Sequence, residues 1–194
     1  MIDALRFDPD AHRYYLGPRE VPGVTRVLAD LLPGWRASDW HLQRGRAVHA
    51  CCALVAQGVG FEHDPRISGQ VSACRRFFAE AKPTVYDVER PVFSSLYRYA
   101  GTLDMHCELG GRQVVLDYKA TLTKTVPIQC AAYALTYGTT GPQWGVGVEL
   151  HEDGTYRMSE MYPLKRYAQE WLALLGAYNV RQRLGIASRE EEVA

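Results

Sequence analysis

The stretch "GTLDMHCELGGRQVVLDYKA", Gly101–Ala120, decides how the chain is read. Two β-type runs flank Gly110-Gly111, and a two-glycine connection takes positive φ at no steric cost and closes a tight hairpin. The turn fixes a register. Leu109 faces Arg112, and counting outward sets Asp104 opposite Asp117 and Thr102 opposite Lys119. Side chains alternate along a strand, so Asp117, Lys119 and Asp104 are expected on one face and Leu116 and Tyr118 on the other. Facing carboxylates about 5 Å apart at Cβ repel each other unless something intervenes. A divalent cation such as Mg²⁺, which takes carboxylate and water ligands, would remove that repulsion. The hairpin alone leaves two other readings open: a solvated acidic face, or neutralisation of one acid by Lys119. A loop of different parity would also shift the pairing by one residue.

Working outward, "TVYDVERPVFS" supplies a third β-segment ahead of the hairpin, giving a meander. After it, Pro127 starts a helix, "PIQCAAYALTYG", expected to end at Gly138. The runs "QWGVGVELHE" and "TYRMSEMYP" flank the turn Asp153-Gly154, and "LKRYAQEWLALLGAYNVRQRL" makes a long amphipathic helix. Towards the N-terminus, turn signals at Asp8-Pro9 and Gly17-Pro18 mark a small hairpin, followed by a short helix in "VTRVLADLL" that ends near Pro33. "DWHLQRGRAVHACCALVAQG" reads as a helix capped by Ser38 or Asp39 and ending near Gly58. Asp64-Pro65 opens the next, with Ile67, Val71, Cys74, Phe77 and Phe78 at helical spacing and a stop before Pro83. The expected fold is α/β: a mixed central sheet with an antiparallel meander, flanked by helices. One domain is expected over 1–194, with the hairpin and short helix in 1–34, the sheet core in 84–162 and the C-terminal helix in 163–185.

The chain has 194 residues, 47% apolar and 23% charged, which suits one folded domain with a substantial core. Its 22 basic and 22 acidic residues cancel, so an anionic partner must be held by a local patch rather than by global charge. The opening "MIDALRFDPD" has no basic start and apolar run, and no window is long enough to span a membrane, so a cytoplasmic protein is expected. Five cysteines without a CxxC pair read as reduced core thiols. The ending "SREEEVA" reads as a loose tail. No GxxxxGK[ST] motif occurs, so no ATP-driven unwinding is expected.

Taken in order, "GRAVH" with His49, "GTLD" with Asp104, "LDYKA" with Asp117 and Lys119, and "QCAAY" with Gln129 and Tyr133 resemble the PD-(D/E)xK nuclease superfamily in its RecB-like exonuclease branch. That branch includes CRISPR-associated, mitochondrial genome maintenance and phage exonucleases. The resemblance covers roughly residues 12 to 137 and implies a restriction-endonuclease-like core. It further implies that His49, Asp104, Asp117 and the backbone carbonyl of Tyr118 hold Mg²⁺ or Mn²⁺. Lys119 would sit beside the attacking water and scissile phosphate, Gln129 would orient Lys119 or a metal-bound water, and Tyr133 would touch the DNA backbone. Arg44, Arg46, Thr121 and Lys124 are the candidate phosphate contacts. Departures are the last acid, Asp117 where many relatives have Glu, and the lack of a C-terminal cysteine group, so no iron–sulfur cluster is expected.

Glu89 in "DVERPVF" could approach the site from the neighbouring strand, but its own residues favour a solvated edge charge. Trp35, Trp40 and Tyr99 could stack on unpaired bases, although aromatic residues more often serve the core. The implied activity is a metal-dependent DNA exonuclease of phage or bacterial recombination and repair, acting on single strands or duplex ends, with a recombination or single-strand-binding protein as possible partner. The alternatives are a structure-specific or single-strand endonuclease, and a catalytically silent nucleic-acid-binding module.

Overall fold

The computed structural model describes residues 5–9, 11–32 and 39–186; Pro33, Trp35, the Ser38 cap and the tail lie outside them. The N-terminal segment forms a small antiparallel sheet of β1 (Leu5–Asp8), β2 (Arg13–Leu16) and β3 (Arg19–Val21), one strand more than the expected hairpin. It buries Tyr14 and Val21 against Ala100 of the main sheet. Helix α1 (Val24–Leu31) follows, then α2 (Asp39–Ala56). The Asp64 carboxylate accepts the Arg66 N–H at 2.9 Å and so caps a single 3-10 turn, Pro65–Ile67. The α-helix proper, α3 (Ser68–Ala81), therefore starts later than Asp64-Pro65 suggested, and it ends as expected before Pro83.

Strands β4 (Thr84–Ser94), β5 (Tyr99–Leu109) and β6 (Arg112–Lys119) form the meander. Helix α4 (Val126–Ala134) then crosses to β7 (Trp144–Leu150), which lies parallel to β6. Strands β8 (Tyr156–Met158) and β9 (Tyr162–Pro163) both pair antiparallel with β7, and α5 (Leu164–Arg183) completes the described chain. The main sheet runs β4-β5-β6-β7-β8 and is mixed, as the sequence implied. Helix α4 gives way at Ala134 to 3-10 turns, with Gly138 at φ 69°.

Helices cover both faces of the sheet. Residues of α1, α4 and α5, among them Val27, Cys130 and Trp171, pack on Leu103 and Val115. On the other face α2 and α3 bring Cys52 and Phe77 against Met105, Leu116 and Val146. A strand buried on both sides needs no polar face, which explains the unbroken run Val114-Val115-Leu116 in β6.

Gly110 and Gly111 take φ of 57° and 75°, the hairpin geometry that the sequence called for. The register follows from it, with Leu109 opposite Arg112 and the pairing continuing to Met105 opposite Leu116. There the ladder stops, one step short of Asp104 and Asp117, and Thr102 does not pair with Lys119. Uniform alternation fails at the same point. Leu103 packs in the core under α4 and Met105 in the core under α2, although residues two apart should share a face. Opposite this break, Glu89 of β4 adopts φ 44°, between the pairs Val88–Met105 and Arg90–Leu103. Both strands change phase together, and Asp104 and Glu89 sit at the change.

Candidate active site

Asp117 and Lys119 project from β6 toward α4. Asp117 is fully buried, and the Gln129 amide nitrogen donates to its Oδ1 at 2.8 Å. Lys119 Nζ lies 2.8 Å from Asp117 Oδ2 and donates to Gln129 Oε1 at 3.1 Å. Oδ2 of Asp117 is buried with the Lys119 ammonium as its ion-pair partner. Gln129 also donates to the Tyr133 hydroxyl at 3.2 Å. Tyr133 reaches this position because Gly101 leaves room for it: a Cβ on Gly101 would lie 2.5 Å from the tyrosine ring.

Asp104 approaches from β5. Its Oδ2 accepts the backbone N–H of Tyr118 at 2.7 Å, taking the place of the missing ladder bond, and its Oδ1 lies 3.2 Å from His49 Nδ1 on α2. Glu89 completes the group, with Oε1 3.9 Å from the same His49 nitrogen. Ligand atoms of His49, Glu89 and Asp104 all lie within 4.8 Å of one another. Asp117 stands next to this trio without joining it.

The electrostatics divide these acids. Burial pushes Asp117 up to about 6, helped by the negative charge of Asp104 and only partly offset by Lys119. Burial likewise lifts Glu89 to about 7, with Asp104 adding to the shift. Burial acts on Asp104 too, but His49, Lys119 and the Tyr118 N–H outweigh it and hold this carboxyl below its ordinary range. Burial disfavours the His49 cation, yet Asp104 raises it to about 9. The Lys119 ammonium is also strengthened, since Asp117 and Asp104 overcome its desolvation. Without a metal, protons and one ammonium balance the cluster.

The remaining expectations meet mixed outcomes. His49, Asp104, Asp117, Tyr118, Lys119 and Gln129 converge. Tyr133, expected to touch the DNA backbone, is only 2% exposed, and its hydroxyl accepts from the Gln129 amide. Tyr99 is fully buried against Trp171 and donates to the Ala132 carbonyl, which removes it as a stacking platform. Trp40 is exposed, and the Arg44 guanidinium lies over its ring. Arg44 is not an open contact, because it pairs with Glu152. Arg46 is exposed and acts on His12 of the N-terminal sheet, away from Arg44. Thr121 and Lys124 are exposed in the β6–α4 connection. Of the two readings of Glu89, the favoured one, a solvated edge charge, is corrected: it approaches from the neighbouring strand and faces His49. Alternation hid it, since a left-handed backbone at a glutamate has no sequence signature. All five cysteines are buried and free. Among the described residues no helix is long and apolar enough to cross a membrane.

The sequence matches no protein-family model and no curated protein. Among solved structures, the chain is similar to LHK-Exo in complex with dAMP, at 13% identity over 86% of this chain and 95% of that one, with a TM-score of 0.41. It is also similar to an alkaline exonuclease, LHK-Exo, from Laribacter hongkongensis, at 15% identity over 85% and 94% of the two chains, with a TM-score of 0.37. At such identity and overlap the reading of function rests on the site itself.

Proposed function

We propose that the protein is a metal-dependent DNA nuclease acting as an exonuclease on accessible ends or single strands. The observation that carries this reading is the convergence of three acids and an imidazole, from three strands and a helix, beside a lysine ammonium that is itself fixed by Gln129. Hard oxygen ligands with one imidazole suit Mg²⁺ or Mn²⁺. The residues fit such an ion, because ligand atoms of His49, Glu89 and Asp104 lie within 4.8 Å of one another and two of the three crowded acids are lifted above their ordinary range, groups that a cation relieves. His49, Glu89 and Asp104 would hold it, with Asp117 and the Tyr118 carbonyl at its border. A bound divalent cation supplies polarisation of a phosphoryl oxygen and acidification of water.

The chain's own groups do the rest. The Lys119 ammonium, 2.8 Å from Asp117 and 3.1 Å from Gln129, cannot swing freely and so presents its charge where phosphate oxygens become more negative. Gln129 bridges Asp117 and Lys119 and keeps them in register. His49 must give up its proton before its ring nitrogen can ligate, so metal binding should release protons.

The test is cleavage of end-labelled linear and circular DNA, single- and double-stranded, with Mg²⁺, Mn²⁺ or EDTA. Loss of label from linear substrates alone, abolished by EDTA, is the expected result. Circular single strands cut as readily as linear ones would replace the exonuclease by an endonuclease. No cleavage with any metal would favour a binding module.

A further inference from the structure

A cavity of about 320 Å³ opens beside His49 and Lys119, between α2, the end of β6 and the β7–β8 turn. Arg44, His49 and Lys119 line it, and Glu152 is the one acid in its wall. That acid is spent on Arg44. The two partners are unequal: the Arg44 side chain is 20% exposed, whereas the Glu152 side chain is 73% exposed. The guanidinium is packed into the wall, whereas the carboxylate on the same wall stands largely in solvent. With its amide oxygen turned to satisfy its neighbours, buried Gln70 also accepts from Arg44 and holds the guanidinium toward the cavity.

Glu152 is placed by a rigid turn. The Glu152 carbonyl packs on α3 so closely that a Cβ on Gly69 would lie 1.8 Å from it. Asp153 Oδ1 accepts the Thr155 N–H at 2.9 Å, and His151 Nδ1 lies 2.9 Å from the Thr155 hydroxyl. The backbone is braced while the carboxylate stays in solvent, able to leave Arg44 by side-chain rotation alone.

We propose that this cavity seats a phosphate group of the DNA strand on Arg44, and that the Glu152 carboxylate occupies the guanidinium until the strand displaces it. The inference rests on the nuclease reading for the identity of its ligand. A carboxylate and a phosphate compete for the same planar donors, and guanidinium takes either by paired hydrogen bonds. Glu152 therefore acts as a selectivity element: a ligand with enough additional contacts pays for opening the pair, and a stray anion does not.

The experiment compares wild type, Glu152→Gln, Arg44→Gln and the double variant with two probes in EDTA. One probe is a labelled single-stranded oligonucleotide; the other is inorganic phosphate, read as a rise in melting temperature. Glu152→Gln should bind the oligonucleotide about two- to fivefold more tightly, the range set by an ion pair with one exposed partner. It should also gain more thermal stabilisation from phosphate than wild type. Both gains should vanish in the Arg44→Gln background. Equal affinity in wild type and Glu152→Gln would overturn the proposal, as would a gain that survives without Arg44, since that is only a change in net charge. A phosphate response that depends on Arg44, without DNA binding in any variant, would keep the latch and sink the nuclease reading. DNA binding and cleavage unchanged by Glu152→Gln would do the reverse.

Discussion

Strands β4 and β5 carry two acid–histidine clusters, two residues apart, and the two behave oppositely. In one, Asp87 of β4 faces His106 of β5, whose Nδ1 lies 3.4 Å from Asp87 Oδ2. Tyr137 donates to the same oxygen at 2.9 Å, and Arg90 donates to Oδ1 at 2.9 Å. Burial works against the Asp87 anion, but these donors win and hold its carboxyl below its ordinary range. In the other, Glu89 and Asp104 meet His49 and stand beside Asp117, so three carboxylates face two side chains able to carry positive charge, His49 and Lys119. Glu89 and Asp117 are lifted there. Both clusters hold a carboxylate, a histidine and a cation, so residue type does not separate them. Balance does. A carboxylate outnumbered by its donors is part of the architecture; a cluster with more acids than cations is prepared for a ligand.

The comparison breaks first on cleavage. Lys119→Ala is expected to lower the cleavage rate by about 10³-fold, the scale of losing one preorganised charge at a reacting phosphate, with the fold retained. Asp87→Asn should leave the rate within about twofold. End-labelled substrate and a melting curve for each protein provide the check, and activity that falls with Asp87 but not with Lys119 would invert the assignment.

Stability should separate the clusters with opposite signs. Asp87→Ala leaves Tyr137 and Arg90 without their acceptor and should cost about 1–3 kcal/mol. Asp117→Asn removes a buried charge that the metal-free protein holds at a cost, so it should raise the melting temperature at pH 8. A fall in both would mean that Asp117, like Asp87, is satisfied by its neighbours.

A pH series sharpens the same point. Asp117 rises from 3.8 to about 6 and Glu89 from 4.5 to about 7 on folding, so the folded state keeps protons that the unfolded state has lost. The stability of the metal-free protein therefore drops as pH climbs from about 4 through about 7. His49 adds to the trend: its stabilising charge is fully present below 6.5 and is lost as pH rises through about 9. Asp104 works the other way, but only at pH below its ordinary range. A cation replaces those protons. Saturating Mn²⁺ should raise the melting temperature by about 5–10 °C at pH 8 and by little at pH 5. A shift of equal size at both pH values would place the ion elsewhere.

Much of this was legible from Gly110-Gly111, which set the hairpin register through Leu116, and from the prolines and glycines that bound the helices. Asp117 and Lys119 followed from the alternation along their strand, whereas Gln129 came only with the resemblance carried by "QCAAY". What the sequence hid was local backbone phase and distant partners. Alternation assigns every second residue to one face, but the change of phase at Asp104 and Glu89 breaks that rule without a glycine to announce it. The pairing of Arg44 with Glu152 joins residues far apart in the chain, and no periodicity links them. The burial of Tyr133 depends on a space left by Gly101 on another strand.

That burial defines the smallest expected effect. A tyrosine touching the DNA backbone and one supporting Gln129 predict different losses for Tyr133→Phe. The variant keeps the ring against Gly101 and removes only the hydroxyl that Gln129 reaches at 3.2 Å. A neutral hydrogen bond contributes about 0.5–1.5 kcal/mol, so a loosened Gln129 should slow the catalytic step by about two- to tenfold. Because the hydroxyl is buried, DNA affinity and its salt dependence should not change. A phosphate contact would show the opposite pattern, weaker binding with a shallower salt dependence and an intact turnover rate. Single-turnover kinetics at saturating DNA, set beside equilibrium binding in EDTA, read the two quantities separately. Affinity lost with the rate unchanged would return Tyr133 to the surface role that its position in "QCAAY" suggested.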